Sequence, residues 1–438
     1  MPCLHHSAFD KHMQILVNVS KQCSEETLKN ARVEVEKAHS DTLDIVKPID
    51  IGVSYDGAWQ KRGFTSKYGV GCVIEVVTGL VIDYVVLSKY CRICQRKISE
   101  LGRNSPQFNE WFAIHKPKCQ ANFDGSSPAM ETEAAAILWK RSENLGFRYI
   151  SVISDGDSKA FDHISSLNVY GENVTIDKQE CVNHVAKRLG TALRNLVKDS
   201  SKVKITLGGK KHGSLKGKTI DKLCQYYRNA IINNLDNTDK MREAIYATLD
   251  HCRSSDDEPR HDKCPPGSDS WCFYQRDLYN KLKPRRHSEG IKTPLSEAVY
   301  SRMLPIYKRL SNEKLLKRCS LGKTQNANES LHSVIWSKCQ KTTFQAKRRL
   351  DAAVGEAISV YNEGSFTSMT NLLEKAGVSP GMNTAVLAKK KDSHRLKLRK
   401  AREADKYKQY KKLVKAAQIE EEERKIEEEG RMYGAGDF

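Results

Sequence analysis

Residues 48–59 read PIDIGVSYDGAW. Val, Ile and Tyr dominate up to Tyr55, which predicts a strand over Pro48 to Tyr55. Two runs of the same kind follow, Tyr68 to Val77 and Leu80 to Leu87, with Thr78-Gly79 as the turn between them. Strands joined by such short connections predict an antiparallel meander. Glu131 to Leu145, ETEAAAILWKRSENL, has helical spacing, with Ala135, Ile137, Leu138 and Trp139 available to pack. Tyr149 to Ser154, YISVIS, is a short buried strand that stops at Asp155-Gly156-Asp157. Three strands, a helix and a strand begin an α/β domain with a mixed sheet.

Outward from this core, the 438 residues leave room for two or three units. Residues 1–45 form a polar segment with a helix expected from Ser24 to His39. Residues 46–172 hold the first part of the α/β core, interrupted by a cysteine-bearing insertion at 88–126. Residues 173–323 read as mainly helical, with helices expected over 180–198, 219–234, 238–252 and 293–309. Residues 324–365 close the core with helices over 325–340 and 347–361. Residues 366–438 are a linker and a charged tail: 389–415 carries 13 Lys and Arg against three acids, and 420–429 carries seven Glu. Such blocks are solvated helices or arms, and a basic one suits nuclear import or nucleic acid.

Lys and Arg number 73 against 54 Asp and Glu, a net charge of +19 that favours a polyanionic partner, nucleic acid foremost. No apolar run approaches the roughly 20 residues of a membrane-spanning helix, so no membrane role is expected. Met1 to Lys21 lacks the apolar stretch of a secretory signal. Thirteen cysteines, an odd number in a long chain, fit metal ligands and free thiols in a reducing compartment better than a disulfide framework.

Three acids stand out by position. Asp56 closes the first predicted strand, Asp155 closes the fourth, and Glu329 falls early in the helix QNANESLHSVIW. An Asp-Gly pair at a strand end is commonly a turn, and a lone helix Glu is commonly solvated. Their joint placement carries the reading, because three clustered carboxylates suit two Mg²⁺ or Mn²⁺ ions in phosphodiester chemistry. Asp157 competes with Asp155, and Glu131 and Glu133 are held in reserve as acids at a helix start. Cys91-x₂-Cys94 with His115-x₃-Cys119 has the spacing of a closed tetrahedral Zn²⁺ site. A looser second Zn²⁺ set joins Cys181-x₂-His184 to His261-x₂-Cys264, with Cys252 and Cys272 as nearby alternatives.

The strings YDGAWQKRG, CRIC with HKPKC, METEAAAILWKRS, ISDGDSKAF, QECVNHVAKRLG, HDKCPPGSDSWC and NANESLHSVIW, in that order over roughly residues 45–365, resemble the Mutator-like transposase domain of animal DNA transposons. The resemblance implies a DDE-type enzyme with an RNase H-like mixed-sheet core, a helical insertion domain and small zinc-binding insertions. It implies cut-and-paste transposition: divalent-metal-dependent cleavage and strand transfer at transposon ends, on double-stranded DNA, in the nucleus, by a homo-oligomer. Asp56, Asp155 and Glu329 fall at the family's acidic positions, and Cys181 and His184 at its CxxH element. No separate DNA-binding domain is read upstream of residue 45. Two other readings stand beside this one: a transposase-derived nuclear DNA-binding protein without catalysis, and a different nuclease on the same fold.

Overall fold

The computed structural model describes residues 5–39, 48–60, 66–154, 159–209, 211–341 and 345–403. Its strands are β1 (Ile49–Trp59), β2 (Tyr68–Glu75), β3 (Val81–Ser88), β4 (Phe147–Ser154) and β5 (Asp177–Glu180). They form one mixed sheet in the order β3-β2-β1-β4-β5. β2 runs antiparallel to both β1 and β3, while β4 is parallel to β1 and β5 parallel to β4. The first three strands therefore make the expected meander, and the long β3-to-β4 connection is the crossover that a parallel pair requires.

The helices are α1 (His6–Ala38), α2 (Arg92–Leu101), α3 (Pro106–His115), α4 (Ala129–Arg141), α5 (Lys159–Leu167), α6 (Val182–Lys202), α7 (Gly217–Ile232) and α8 (Thr238–Arg253). They continue as α9 (Phe273–Tyr279), α10 (His287–Gly290), α11 (Glu297–Leu310), α12 (Glu313–Arg318), α13 (Asn326–Lys338), α14 (Lys347–Glu363), α15 (Ser365–Lys375) and α16 (Met382–Glu403). Among the described residues no helix is long and apolar enough to cross a membrane. The chain divides into two compact units, Leu28–Asp351 and a second made of Met1–Thr27 with Ala352–Phe438.

In the larger unit, one face of the sheet presents Val53, Tyr55, Val73, Phe147, Tyr149 and Val152 to Ala135, Leu138 and Trp139 of α4 and to Ile164 of α5. Trp139 is fully buried. Its ring meets Tyr55 and Tyr149 edge-on at centroid distances of 5.8 and 5.2 Å, and its indole N–H donates to the Tyr149 carbonyl at 3.3 Å. The end of α4 is tied to β3 by a two-pronged ion pair, Arg141 Nε to Asp83 Oδ2 at 2.7 Å and Nη2 to Oδ1 at 2.6 Å.

β1 does not stop at Tyr55 as its composition suggests. It continues through Asp56 and Gly57 to Trp59, with Gly57 opposite Gly71 and Trp59 opposite Gly69 on β2. Bare glycines make this possible. A Cβ on Gly69 would lie 2.0 Å from Trp59 Cζ3, and one on Gly71 would lie 2.9 Å from the Ala134 methyl of α4. Asp56-Gly57 is thus strand interior rather than a turn.

The helices after β5 build their own core. Val182, Val185, Ala186, Leu189 and Leu193 make the buried stripe of α6, at the spacing of one helix face. They pack with Leu223, Tyr227, Met241, Ile245, Met303 and Tyr307 from α7, α8 and α11. In the smaller unit, α1 and α14 approach closely at Gly355, where a Cβ would come within 3.1 Å of the Ser20 and Ser24 hydroxyls. Asp392 of α16 caps α15, accepting from the Ser365 and Phe366 N–H groups at 2.8 Å each.

Two predictions follow from the sheet. Trp139→Ala removes the largest side chain of its core and is expected to cost about 3–5 kcal/mol in denaturant unfolding. Glu75 closes the β2–β3 turn, accepting from the N–H groups of Val77 and Thr78 at 2.7 and 2.6 Å and from the Thr78 hydroxyl at 2.7 Å. Burial alone raises its carboxyl, but these hydrogen bonds outweigh burial and hold it below its ordinary value. Its contribution is therefore complete above the unfolded carboxylate pKa of about 4.3 and lost as pH falls through the lower folded value. Wild type minus Glu75→Gln stability, followed by unfolding at a series of pH values, should shrink below about pH 4.3.

Candidate active site and metal centres

Alternation along β1 puts Val53 and Tyr55 in the α4 core, so Ser54 and Asp56 point to the opposite face. That face carries α13. Asn328 is completely buried there. The Ser54 hydroxyl donates to Asn328 Oδ1 at 2.5 Å, and Asn328 Nδ2 donates to the Ser54 carbonyl at 3.3 Å and the Cys72 carbonyl at 3.5 Å. Gln325, 1% exposed, donates from Nε2 to the Tyr55 carbonyl at 2.9 Å. These bonds fix how far along β1 the helix sits and which side it turns to the strand.

The residue after Asn328 is Glu329, and one turn later comes His332. His332 Nδ1 lies 3.5 Å from Asp56 Oδ2, while Glu329 Oε1 lies 3.5 Å from His184 Nε2 and 3.6 Å from Lys187 Nζ. Asp56 therefore faces His332, one turn along α13 from Glu329, and Glu329 faces the start of α6. Burial, reinforced by Lys341 and opposed by Glu329, lowers the His332 imidazole to about 4. It is neutral at physiological pH, and its Nε2 is buried without a hydrogen-bond partner.

β4 is the parallel neighbour of β1, with Ser54 in register with Ile153, and it ends at Ser154. Asp155 and its competitor Asp157 lie outside the described residues. The reserve acids Glu131 and Glu133 fall in the first turns of α4. Glu131 Cγ is 3.4 Å from the Cβ position of Gly57, on the α4 face of β1, away from Asp56.

Beside this site α6, α11 and α12 line a groove of about 1110 Å³. Its walls carry Lys187, Arg188, Arg309, Lys314 and Arg318 against Glu180 and Asp199. Glu180 is paired with Arg188 at 2.6 Å. His184 and Lys187, the two residues that approach Glu329, are among the groove's lining residues.

Two groups of sulfur and nitrogen donors assemble elsewhere in the larger unit. In Cys91, Cys94, His115 and Cys119 the donor atoms all lie within 4.8 Å of one another. Cys91 caps the N-terminus of α2 and Cys94 falls in its first turn. His115 ends α3, and a single turn of 3₁₀ helix at Lys116–Lys118 carries the chain to Cys119. Cys91 Sγ is 3.4 Å from His115 Nε2, and Cys94 Sγ is 3.4 Å from Cys119 Sγ. Tetrahedral zinc with these ligands separates donors by about 3.3–3.8 Å. Burial raises the Cys91 thiol, but the N–H groups of Cys94 and Gln120 together with His115 outweigh it and bring it down to about 6. The donor set fits a zinc ion.

The second expected set is not assembled as the spacing suggested. His261 and Cys264 cluster with His251 and Cys272, all four buried. Cys181 and His184 stand apart, for a physical reason. Cys181 caps α6 where the chain leaves β5, and its sulfur accepts from the Gln325 N–H at 3.5 Å. Burial raises this thiol, but His184 and the Gln325 and His184 N–H groups outweigh it and lower it. The CxxH pair therefore joins the start of α6 to the start of α13, with His184 reaching Glu329. Spacing alone did not single out Gln325, Asn328, His332 or His251. The helical period of 325–340 does put Gln325, Asn328 and His332 on one face, the signal that was open to reading.

The acid site and the sulfur clusters have the residue types and order of the motif set quoted above. A search of curated proteins returned no match, and neither did a search of solved structures. The Mutator-like transposase family model matches residues 1–272. That span takes in the N-terminal helix, Asp56, Asp155, the Cys91–Cys119 group and Cys272, and ends before Glu329. It covers more than half of the sequence, and the chain belongs to the Mutator-like transposase family.

Proposed function

We propose that this protein is a DDE-type DNA transposase with an RNase H-like core, and that Asp56, Asp155 and Glu329 are its acidic triad. The observation that carries the reading is the docking of α13 on β1. Asn328 and Gln325 bind the backbone of the strand that bears Asp56, and Glu329 is the next residue on their helix. The strand order β3-β2-β1-β4-β5, with only β2 reversed, is that of an RNase H-like sheet and supports the fold assignment.

The donor set suits hard divalent cations, since it consists of carboxylate oxygens. When bound, Mg²⁺ or Mn²⁺ at such a triad neutralises charge on the phosphodiester and activates the attacking water or 3′-hydroxyl. The protein's own part is positional. Asp56 is held on a central strand, Glu329 is oriented by a helix whose register is fixed by buried amides, and His332 packs against Asp56 without adding positive charge. Lys187, Arg188, Arg309, Lys314 and Arg318 attract the phosphate backbone of double-stranded DNA and align it toward the acids. Cys91, Cys94, His115 and Cys119 hold a structural Zn²⁺ that closes the 88–126 insertion. The enzyme acts as a homo-oligomer in the nucleus, where its basic 389–415 segment delivers it.

Nicking of labelled duplex DNA tests the triad. Wild type should cleave only with Mg²⁺ or Mn²⁺. Asp56→Asn, Asp155→Asn and Glu329→Gln should each lose on the order of 100-fold or more in rate, with folding and zinc content unchanged. A folded wild type that binds DNA and never cleaves it would turn the assignment to a DNA-binding protein. A second experiment addresses the groove. If Lys187 and Arg309 each contact phosphate, the double Gln variant should shift the slope of log K against log salt by about 1.8, from about 0.9 per contact. An unchanged slope would remove the groove from the DNA path.

A further inference from the structure

The geometry points to a structural tetrahedral zinc site formed by His251, His261, Cys264 and Cys272 in the helical segment between β5 and α13. It involves none of the residues assigned to DNA cleavage and stands or falls independently of that reading.

The four ligands come from three pieces of chain. His251 is in the last turn of α8, His261 and Cys264 lie on the following loop, and Cys272 caps the N-terminus of α9. All are 4% exposed or less. Cys272 Sγ is 3.4 Å from His261 Nδ1, and Cys264 Sγ is 3.8 Å from the same atom and 3.9 Å from His251 Nδ1. These separations are close to the roughly 3.3–3.8 Å between ligands around tetrahedral Zn²⁺, and all four donor atoms lie within 4.8 Å of one another.

The surrounding hydrogen bonds decide which ring nitrogen is free to coordinate. Asp256 Oδ1 lies 2.6 Å from His287 Nδ1 and also accepts the His287 backbone N–H at 2.8 Å. A carboxylate only accepts, so the His287 ring donates from Nδ1, and in the neutral ring Nε2 is left as an acceptor. That Nε2 is 3.0 Å from His261 Nε2 and pairs with it when His261 carries its ring proton there. His261 Nδ1 is then a bare lone pair aimed at the two sulfurs. Asp256, His287 and His261 form a carboxylate–imidazole–imidazole chain, the outer-sphere support that fixes the tautomer of a ligating histidine. Ser254 adds to it, with its hydroxyl 3.0 Å from His261 Nε2. The Tyr274 ring stacks on His261 at 4.5 Å and fixes the plane of the imidazole.

Two buried sulfurs with no compensating cation would be poorly solvated. A Zn²⁺ ion there joins the end of α8 to the start of α9 across the CPPGSDSW loop.

The test uses the full chain, purified without chelator. Metal analysis should show Cys264→Ser/Cys272→Ser with one zinc equivalent fewer than its parent. The same loss should appear when the parent already lacks Cys91 and Cys94, which separates the two centres. Because such a variant can misfold, the outer-sphere residues give a second reading. Asp256→Asn and His287→Gln keep all four ligands and should weaken zinc binding by about 10- to 100-fold in competition with a chromophoric chelator. Cobalt(II) loaded in place of zinc should give the ligand-field bands of a tetrahedral two-thiolate site in the Cys91/Cys94-deficient parent. The proposal is overturned if that parent binds neither zinc nor cobalt, if Cys264 and Cys272 are found joined as a disulfide, or if Asp256→Asn and His287→Gln leave the affinity unchanged.

Discussion

A buried amide holds the site together. Asn328 has no exposed surface, and it exchanges hydrogen bonds with the hydroxyl and the carbonyl of Ser54. A buried amide without partners is costly, and one whose partners are backbone atoms of a central strand is satisfied in a single alignment only. A slide of α13 along β1 would break these bonds and the one from Gln325 to the Tyr55 carbonyl together. Apolar packing tolerates small shifts, whereas this arrangement does not. The helix that carries Glu329 is therefore indexed to the strand that carries Asp56, although 273 positions separate the two acids in the sequence numbering.

That separation explains the sulfur chemistry. Between the acids the chain makes two excursions from the sheet, one after β3 and one after β5. In the first, Cys91, Cys94, His115 and Cys119 bring the start of α2 and the end of α3 together. The second has an apolar core of its own in α6, α7, α8 and α11, yet its 254–272 loop lies outside that core. The second donor cluster falls at this loop. In both places cysteine and histidine donors converge within 4.8 Å of one another, an arrangement that could hold a metal ion as a cross-link between chain segments.

The sheet was legible because its first four strands are rich in Val, Ile and Tyr, and because α4 packs Leu138 and Trp139 on the face they predict. β5 was not, since DKQE has no apolar signature. Its place comes from parallel pairing with β4 and from Arg188, which satisfies the buried Glu180 at 2.6 Å. The far end of β1 was misread for a related reason: Asp-Gly signals a turn locally, and only the stacking of Trp59 over Gly69 makes it strand. The compact CxxC and HxxxC pairs could be read as one cluster because all four residues lie within a single insertion. The second cluster could not be paired correctly from spacing. His251 sits in a helix with ordinary amphipathic periodicity, and Cys181-x₂-His184 imitates a ligand pair while serving the junction of α6 with α13.

His332 completes the electrostatic argument. A histidine beside a carboxylate ordinarily gains a proton and neutralises it. Here burial, aided by Lys341, drives the imidazole down to about 4, against the opposing pull of Glu329. Asp56 thus has a neighbour that packs against it without adding positive charge. Fixed positive charge lies beside Glu329, at Lys187, and along the groove that Lys187 helps to line. The site is divided accordingly. The group that faces Asp56 from α13 is a neutral imidazole, whereas the group that faces Glu329 from α6 is the Lys187 ammonium.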